Sequence, residues 1–170
     1  SLLISQSVFL GMFYGTFDIG AHTMFLKTYP ESMIPKAYMI SGVLGIVLTS
    51  IYSKLQAKLK FSRLAQYNFM FIAIVTAILW LYFQFSNSNV AVFLSFILLG
   101  PLNILAIIAF WGTISRIFNL RQGKRLFGII DTGQVIGIII SSYAVPLIIT
   151  IFSGTKDLFL VSALSIFGAM

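Results

Sequence analysis

Two ionisable side chains interrupt the apolar first segment of the chain, Asp18 and His22. They lie four residues apart, so they share one face if this segment is a helix. A carboxylate beside an imidazole can hold a polar solute, and it can couple a proton because histidine titrates near physiological pH. The alternative that the sequence leaves open is an interfacial pair near the membrane surface.

Small and polar residues continue along this side of the first segment. On a helix they fall within an arc of about 100° and comprise Ser7, Gly11, Tyr14, Gly15, Asp18 and His22. The opposite side carries Leu, Ile, Val, Met and Phe. We therefore expect this arc to face the interior of a helix bundle. It serves either as a solute or proton site that includes Tyr14, or as a close helix contact that the glycines permit.

The fourth apolar segment contains Asn103 just after Gly100-Pro101. Proline removes a backbone donor and crowds the preceding turn, so the sequence predicts a bend near residues 96–100. Carbonyls freed by a bend inside a membrane can meet a ligand. Asn103 is therefore a second candidate for solute binding.

The fifth apolar segment carries two patterns. Gly133, Gly137 and Ser141 recur every four residues, which is typical of tight helix packing in membranes. An overlapping arc contains Asp131 and Gln134, together with Ser141 and Ser142, which we take as candidate lining residues. For Asp131, a salt bridge to Lys124 or Arg125 is the alternative.

The residues needed for soluble enzyme chemistry are scarce. The chain has one His, four acidic residues and no Cys, which does not suit a metal cluster, and its glycines lie within apolar stretches instead of in a phosphate-binding loop. We expect no enzymatic activity, no cofactor and no metal. The net charge of +7 is interpreted as membrane topology and not as nucleic-acid binding.

The elements that position these residues are predicted from composition. The chain is 59% apolar and 9% charged, with a mean hydropathy of +1.01, whereas soluble domains carry roughly 25% charged residues. Such a sequence predicts an all-α membrane protein with a lipid bilayer as its surroundings. Stretches of the length that spans a bilayer are residues 2–26, 34–53, 65–85, 90–115 and 126–152, and a shorter stretch is 158–170. Because the sixth segment is short, we expect the chain to be part of a longer protein.

Basic residues concentrate in alternate gaps between these segments. Two gaps hold eight of the eleven: Lys54, Lys58, Lys60, Arg63, Arg116, Arg121, Lys124 and Arg125. The other set of gaps holds Lys27, Lys36 and Lys156. By the positive-inside rule, the two basic loops and the N-terminus are cytoplasmic. We expect the membrane to be the bacterial cytoplasmic (inner) membrane.

Two runs of the sequence resemble a known family. The first contains Phe110-Trp111, Phe118, Lys124-Arg125-Leu126-Phe127-Gly128, Gly133 and Gly137. The second contains Phe25-Leu26-Lys27 and Ile34-Pro35-Lys36-Ala37-Tyr38. With these runs, nearly the whole chain resembles the ATP/ADP translocase-like branch of the major facilitator superfamily, as the N-terminal six-helix half of a twelve-helix transporter.

The resemblance implies two six-helix bundles that rock about a central cavity lined by helices one and four. The cargo it implies is a small polar or anionic solute, with nucleotides among the candidates. In the nucleotide carriers, an Arg- and Lys-containing run late in helix one handles the phosphates, whereas residues 16–22 of this chain contain neither residue type. The partner would be a C-terminal six-helix half, in the same chain or a separate one.

Two other functions stay open from the sequence. One is a transporter-derived membrane scaffold or anchor within a multiprotein complex, which has no need for buried Asp18 and His22. The other is the handling of lipids or lipoproteins by a cavity that opens sideways into the bilayer.

Overall fold

The computed structural model describes residues 2–58, 60–85, 88–118, 120–152 and 154–170, with the backbone alone for 120–125. These residues are almost entirely helical. The helices are α1 (Leu2–Thr28), α2 (Ile34–Lys58), α3 (Phe61–Phe85), α4 (Asn89–Ile117), α5 (Leu120–Phe152) and α6 (Leu158–Gly168). Short 3-10 turns precede α2 and α6, at Glu31–Met33 and Thr155–Asp157. The expectation of an all-α chain is confirmed.

Five of the described helices, α1 to α5, are long and apolar enough to cross a bilayer. The shortest of them has 25 residues, about 37 Å at 1.5 Å per residue, and the hydrocarbon core is about 30 Å thick. The α6 helix has 11 residues. The chain therefore has the helices of an integral membrane protein.

The helices extend further at the basic end of the bundle than predicted. We define this end by the C-terminus of α2 and the N-termini of α3 and α5. There α2 continues to Lys58 and α3 begins at Phe61, and α5 already begins at Leu120. Lys and Arg are good helix formers, and their charges reach past the end of the apolar stretch, so hydropathy alone underestimates these helices. The residues expected in two basic loops thus belong largely to helix ends.

The helices pack in two layers. One layer is a row in the order α5, α1, α4, α2, and behind it α6 packs on α1, α3 packs on α4, and α3 and α6 pack on each other. The consecutive helices α2 and α3 make little contact with each other, and the same is true of α5 and α6. Among the spanning helices, α2 and α5 are the least buried.

The packing is unchanged when the first three helices are exchanged with the last three. The pair α1–α5 becomes α4–α2, α1–α6 becomes α4–α3, and α1–α4 and α3–α6 map onto themselves. Two spans, α2 and α3, lie between α1 and α4, so α1 and α4 cross a membrane in opposite directions, and so do the two three-helix units. The bundle therefore has the connectivity of an inverted repeat.

Small residues bring α1 and α5 together. A Cβ built on Gly11 would overlap the backbone carbonyl of Gln134, and one built on Gly137 would overlap the carbonyl of Val8. The Gly15 position abuts the Ser141 side chain in the same way. The backbones therefore touch directly, and the prediction of a tight seam along α5 agrees with this packing.

A second contact of this kind joins α2 to α4. A Cβ on Gly100 would lie 2.8 Å from the Ser41 hydroxyl, and Gly45 faces Pro101 at 3.9 Å. The α4 helix stays helical through Pro101. Gly100 and Pro101, where we predicted a bend, pack here against Ser41 and Gly45 of α2.

Side-chain hydrogen bonds attach α6 to the bundle. Thr16 of α1 and Ser162 of α6 lie 2.8 Å apart through their buried hydroxyls. Immediately before α6, the Asp157 carboxylate accepts hydrogen bonds from Trp80 at 3.2 Å and from Gln84 at 3.1 Å. These bonds hold the short helix against α1 and α3.

We predict that Gly137→Ala destabilises the protein by about 1–3 kcal/mol, the usual cost of overpacking. Its new methyl group would push against the α1 backbone. Gly42→Ala is the matched control, because a Cβ at Gly42 meets nothing within 4 Å. Thermal unfolding of both variants in detergent measures the difference, and equal melting temperatures for the two would contradict the seam.

Candidate functional site

A pocket of about 230 Å³ opens on the row of helices where α1, α4 and α5 meet. Its lining is Tyr14, Gly15, Asp18, Ile19, Asn103, Ile138 and Ser142. These residues lie near the middle of their helices: Tyr14 is twelve residues from the start of α1 and fourteen from its end. The pocket is therefore close to the centre of the bilayer when the helices span it.

Two polar atoms in this pocket lack partners. The Tyr14 hydroxyl and the Asn103 side-chain oxygen are both buried and form no hydrogen bond within the described residues. The Tyr14 side chain is 8% exposed. Buried polar atoms are nearly always paired, so a cluster of unpaired ones indicates a place for a polar ligand or water.

The Asp18 carboxylate supplies the charge of the pocket. Its side chain is 51% exposed, against 31% for His22, and the two are 3.4 Å apart between Oδ1 and Nδ1. The same His22 Nδ1 is 3.0 Å from the Asp18 backbone oxygen. Since both oxygens can only accept, Nδ1 carries a proton in this arrangement.

His22 also connects α1 to two other helices. Its Nε2 is 3.1 Å from the Tyr38 hydroxyl of α2, and its ring packs edge-on against Phe96 of α4, with 4.9 Å between centroids. With Nδ1 protonated, Nε2 accepts from Tyr38 when the ring is neutral and must donate when the ring is an imidazolium. A proton on His22 thus reverses the hydrogen bond between α1 and α2.

Sequence reasoning did not assign Tyr38 or Phe96 to the site. The sequence did contain one signal for Tyr38, because it is a polar aromatic residue within an apolar span. Which helix it meets depends on the approach of α1 and α2, and helix periodicity carries no information about that approach.

The arc predicted on α1 divides between three neighbours. Its small residues Ser7, Gly11 and Gly15 pack on α5. Tyr14 and Asp18 line the pocket, whereas His22 points to α2 and α4. An arc of about 100° is wide enough to face several helices at once. Its small residues make the predicted close contact with α5, and the solute or proton site stays a prediction.

Two of the α5 candidates, Asp131 and Gln134, lie nearer the basic end than the pocket, whereas Ser142 lines it. Asp131 is exposed and Gln134 is half-buried, and neither lines the pocket. Asp131 precedes Ile138 by seven residues, about 10 Å along the helix. Asp131 and Gln134 lie on the same side of α5 as Ile138. They are therefore neighbours of the pocket and not part of its lining.

Of the four basic residues predicted between the fourth and fifth segments, the structure describes the side chain of one. Arg116 is exposed, and its guanidinium lies 4.0 Å from the centre of the Phe61 ring. The side chains of Arg121, Lys124 and Arg125 lie outside the described residues, as does any salt bridge from them to Asp131. No group of three metal-ligating side chains occurs among the described residues.

We predict that Tyr38→Phe shifts the ¹⁵N resonance of His22 Nε2, because it removes the hydroxyl bonded to that nitrogen. His22 is the single histidine of the 170 residues, so a histidine label reports on it directly. Tyr143→Phe is the control, since Tyr143 is 81% exposed on α5 and takes no part in this bond. Equal spectra for all three proteins would contradict the contact.

Comparison of the chain with protein families, with curated proteins and with solved structures finds no match. The assignment of function therefore depends on the geometry of the helices and the pocket.

Proposed function

We propose that this chain is half of a secondary transporter that moves a small polar solute by alternating access. The observation that carries the proposal is the pocket at mid-membrane depth. It places a half-exposed carboxylate beside the unpartnered Tyr14 hydroxyl and Asn103 oxygen. An ionisable group inside a membrane costs several kcal/mol unless it meets water, a partner or a ligand, and pathways for solutes provide all three.

The architecture supports a transporter of the major-facilitator type. In that superfamily each six-helix half is built from two inverted three-helix repeats, and the solute binds near the midplane between the halves. The same pairs of helices are in contact after α1–α3 are exchanged with α4–α6, which fits a bundle built from two such repeats. The row α5, α1, α4, α2 carries the pocket and would be the surface that faces the second bundle.

The charge of the pocket narrows the class of solute. Its described lining contains one carboxylate and no cation. Phosphates are held by Arg, Lys or backbone N–H groups, so this half favours a neutral or cationic polar solute over a nucleotide. An anionic cargo, which the family resemblance implied, would need its cations from the second bundle.

His22 makes proton coupling part of the proposal. The titratable groups that face it are Asp18 on α1 and Tyr38 on α2, while α4 contributes the neutral Phe96. Protonation reverses the His22–Tyr38 hydrogen bond, and solute at Asp18 would favour one protonation state over the other. Binding of the solute at Asp18 and protonation of His22 would then be linked through a single turn of α1.

The main alternative is a transporter-derived scaffold or anchor in a multiprotein complex. This alternative is supported by α2 and α5, because the other described residues leave much of their apolar surface exposed. A scaffold, however, gives no role to a pocket with two unpartnered polar atoms.

We predict that Asp18→Asn keeps the fold and abolishes uptake or changes its pH dependence, because the amide retains the shape but cannot carry the charge. The full-length protein is reconstituted into liposomes, and uptake of radiolabelled amino acids, sugars, nucleosides and polyamines is measured from pH 5 to 8. Asp131→Asn is the matched control outside the pocket and should transport like the natural protein.

Identical uptake by Asp18→Asn and the natural protein across that pH range would contradict a role of the pocket in transport. No uptake of any solute, together with stable co-purification of partner proteins, would favour the scaffold.

A further inference from the structure

A second cavity lies on the opposite part of the bundle, between α2 and α3 near the basic end. Because these helices make little contact, a cleft of about 330 Å³ opens between them, with α4 as its floor. Its walls are mainly apolar, and include Leu48, Ile51, Leu55, Leu64, Phe71 and Leu105. Such a cleft between spanning helices is open to the bilayer.

One polar group in this cleft has no partner. The Tyr52 side chain is 5% exposed, and its hydroxyl forms no hydrogen bond within the described residues. The other buried polar side chain there, Asn68, donates to the Leu105 carbonyl at 2.7 Å. Tyr52 thus offers an unused donor inside an otherwise apolar cleft.

The rim of the cleft is positively charged. The Arg116 guanidinium stacks on Phe61, the first residue of α3, at 4.0 Å from the ring centre. Within the described residues no carboxylate pairs with Arg116. Further exposed cations follow at this end: Lys54, Lys58, Lys60 and Arg63. Between Glu31 and Asp131 the sequence has no acidic residue.

We propose that this cleft binds an anionic phospholipid. One acyl chain would lie along the walls between α2 and α3, and the phosphate would accept hydrogen bonds from Tyr52 and Arg116. Tyr52 is six residues from the end of α2, about 9 Å, and lies two residues before Lys54, the first basic residue of that end. Basic pockets between spanning helices are suited to anionic headgroups, and the proposal is independent of transport.

The test compares two lipids that have the same acyl chains and differ in the headgroup and its net charge. The full-length protein in detergent is titrated with dioleoyl phosphatidylglycerol or dioleoyl phosphatidylcholine, and bound lipid is counted by native mass spectrometry. We expect the anionic lipid to bind more tightly. Arg116→Gln should weaken its binding about fivefold and leave phosphatidylcholine unchanged, while Lys36→Gln at the opposite end should change neither.

Two more variants keep the test decisive if Arg116→Gln does not fold. Tyr52→Phe removes the hydroxyl alone and should reduce the preference for phosphatidylglycerol. Ile51→Trp fills the cleft and should weaken both lipids. Equal binding of the two lipids, or unchanged binding in the Arg116 and Tyr52 variants, would overturn the proposal. Displacement of the lipid by soluble glycerol phosphate would also overturn it, because it would show a headgroup site without an acyl chain.

Discussion

The direct contact between the backbones of α1 and α5 is the interaction on which the rest of the structure depends. Helices inside a bilayer gain no hydrophobic free energy by leaving lipid, so close van der Waals packing must hold them. Gly11 and Gly137 allow that packing because a Cβ on either would meet the other helix. The contact also sets the pocket, since it places Ile138 and Ser142 of α5 beside Tyr14 and Asp18 of α1. A wider spacing would expose the carboxylate to lipid.

The second constraint is that polar groups in a membrane need partners. Many serine and threonine hydroxyls here bond to a carbonyl of their own helix, as Thr76 and Ser165 do, and Asn68 bonds across to α4. The described residues contain three buried side-chain atoms without a partner, on Tyr14, Tyr52 and Asn103. Two of them share the mid-membrane pocket and the third lies in the α2–α3 cleft. The exceptions to pairing therefore coincide with the two places where we propose a ligand.

Composition predicted the helices well, and helix periodicity predicted part of the site. Tyr14, Asp18 and Asn103 were expected to be candidates, and they do line one pocket. Their grouping with Ser142 depends on how α1, α4 and α5 meet, which a single helix does not encode. The Tyr38–His22 bond was missed for the same reason. Hydropathy ended α2 at residue 53, whereas the helix continues to Lys58, because charged residues at a helix end are apolar along their stems.

The central claim is that the pocket between α1, α4 and α5 contains water and not lipid. The chain has no native cysteine, so Ser142→Cys and Ile74→Cys each present a single thiol to a charged methanethiosulfonate reagent. Ser142 lines the pocket, and Ile74 is exposed on α3 near mid-membrane depth. We predict rapid modification of the cysteine at 142 and none at 74 in liposomes. No reaction at 142, or equal reaction at both positions, would contradict the claim.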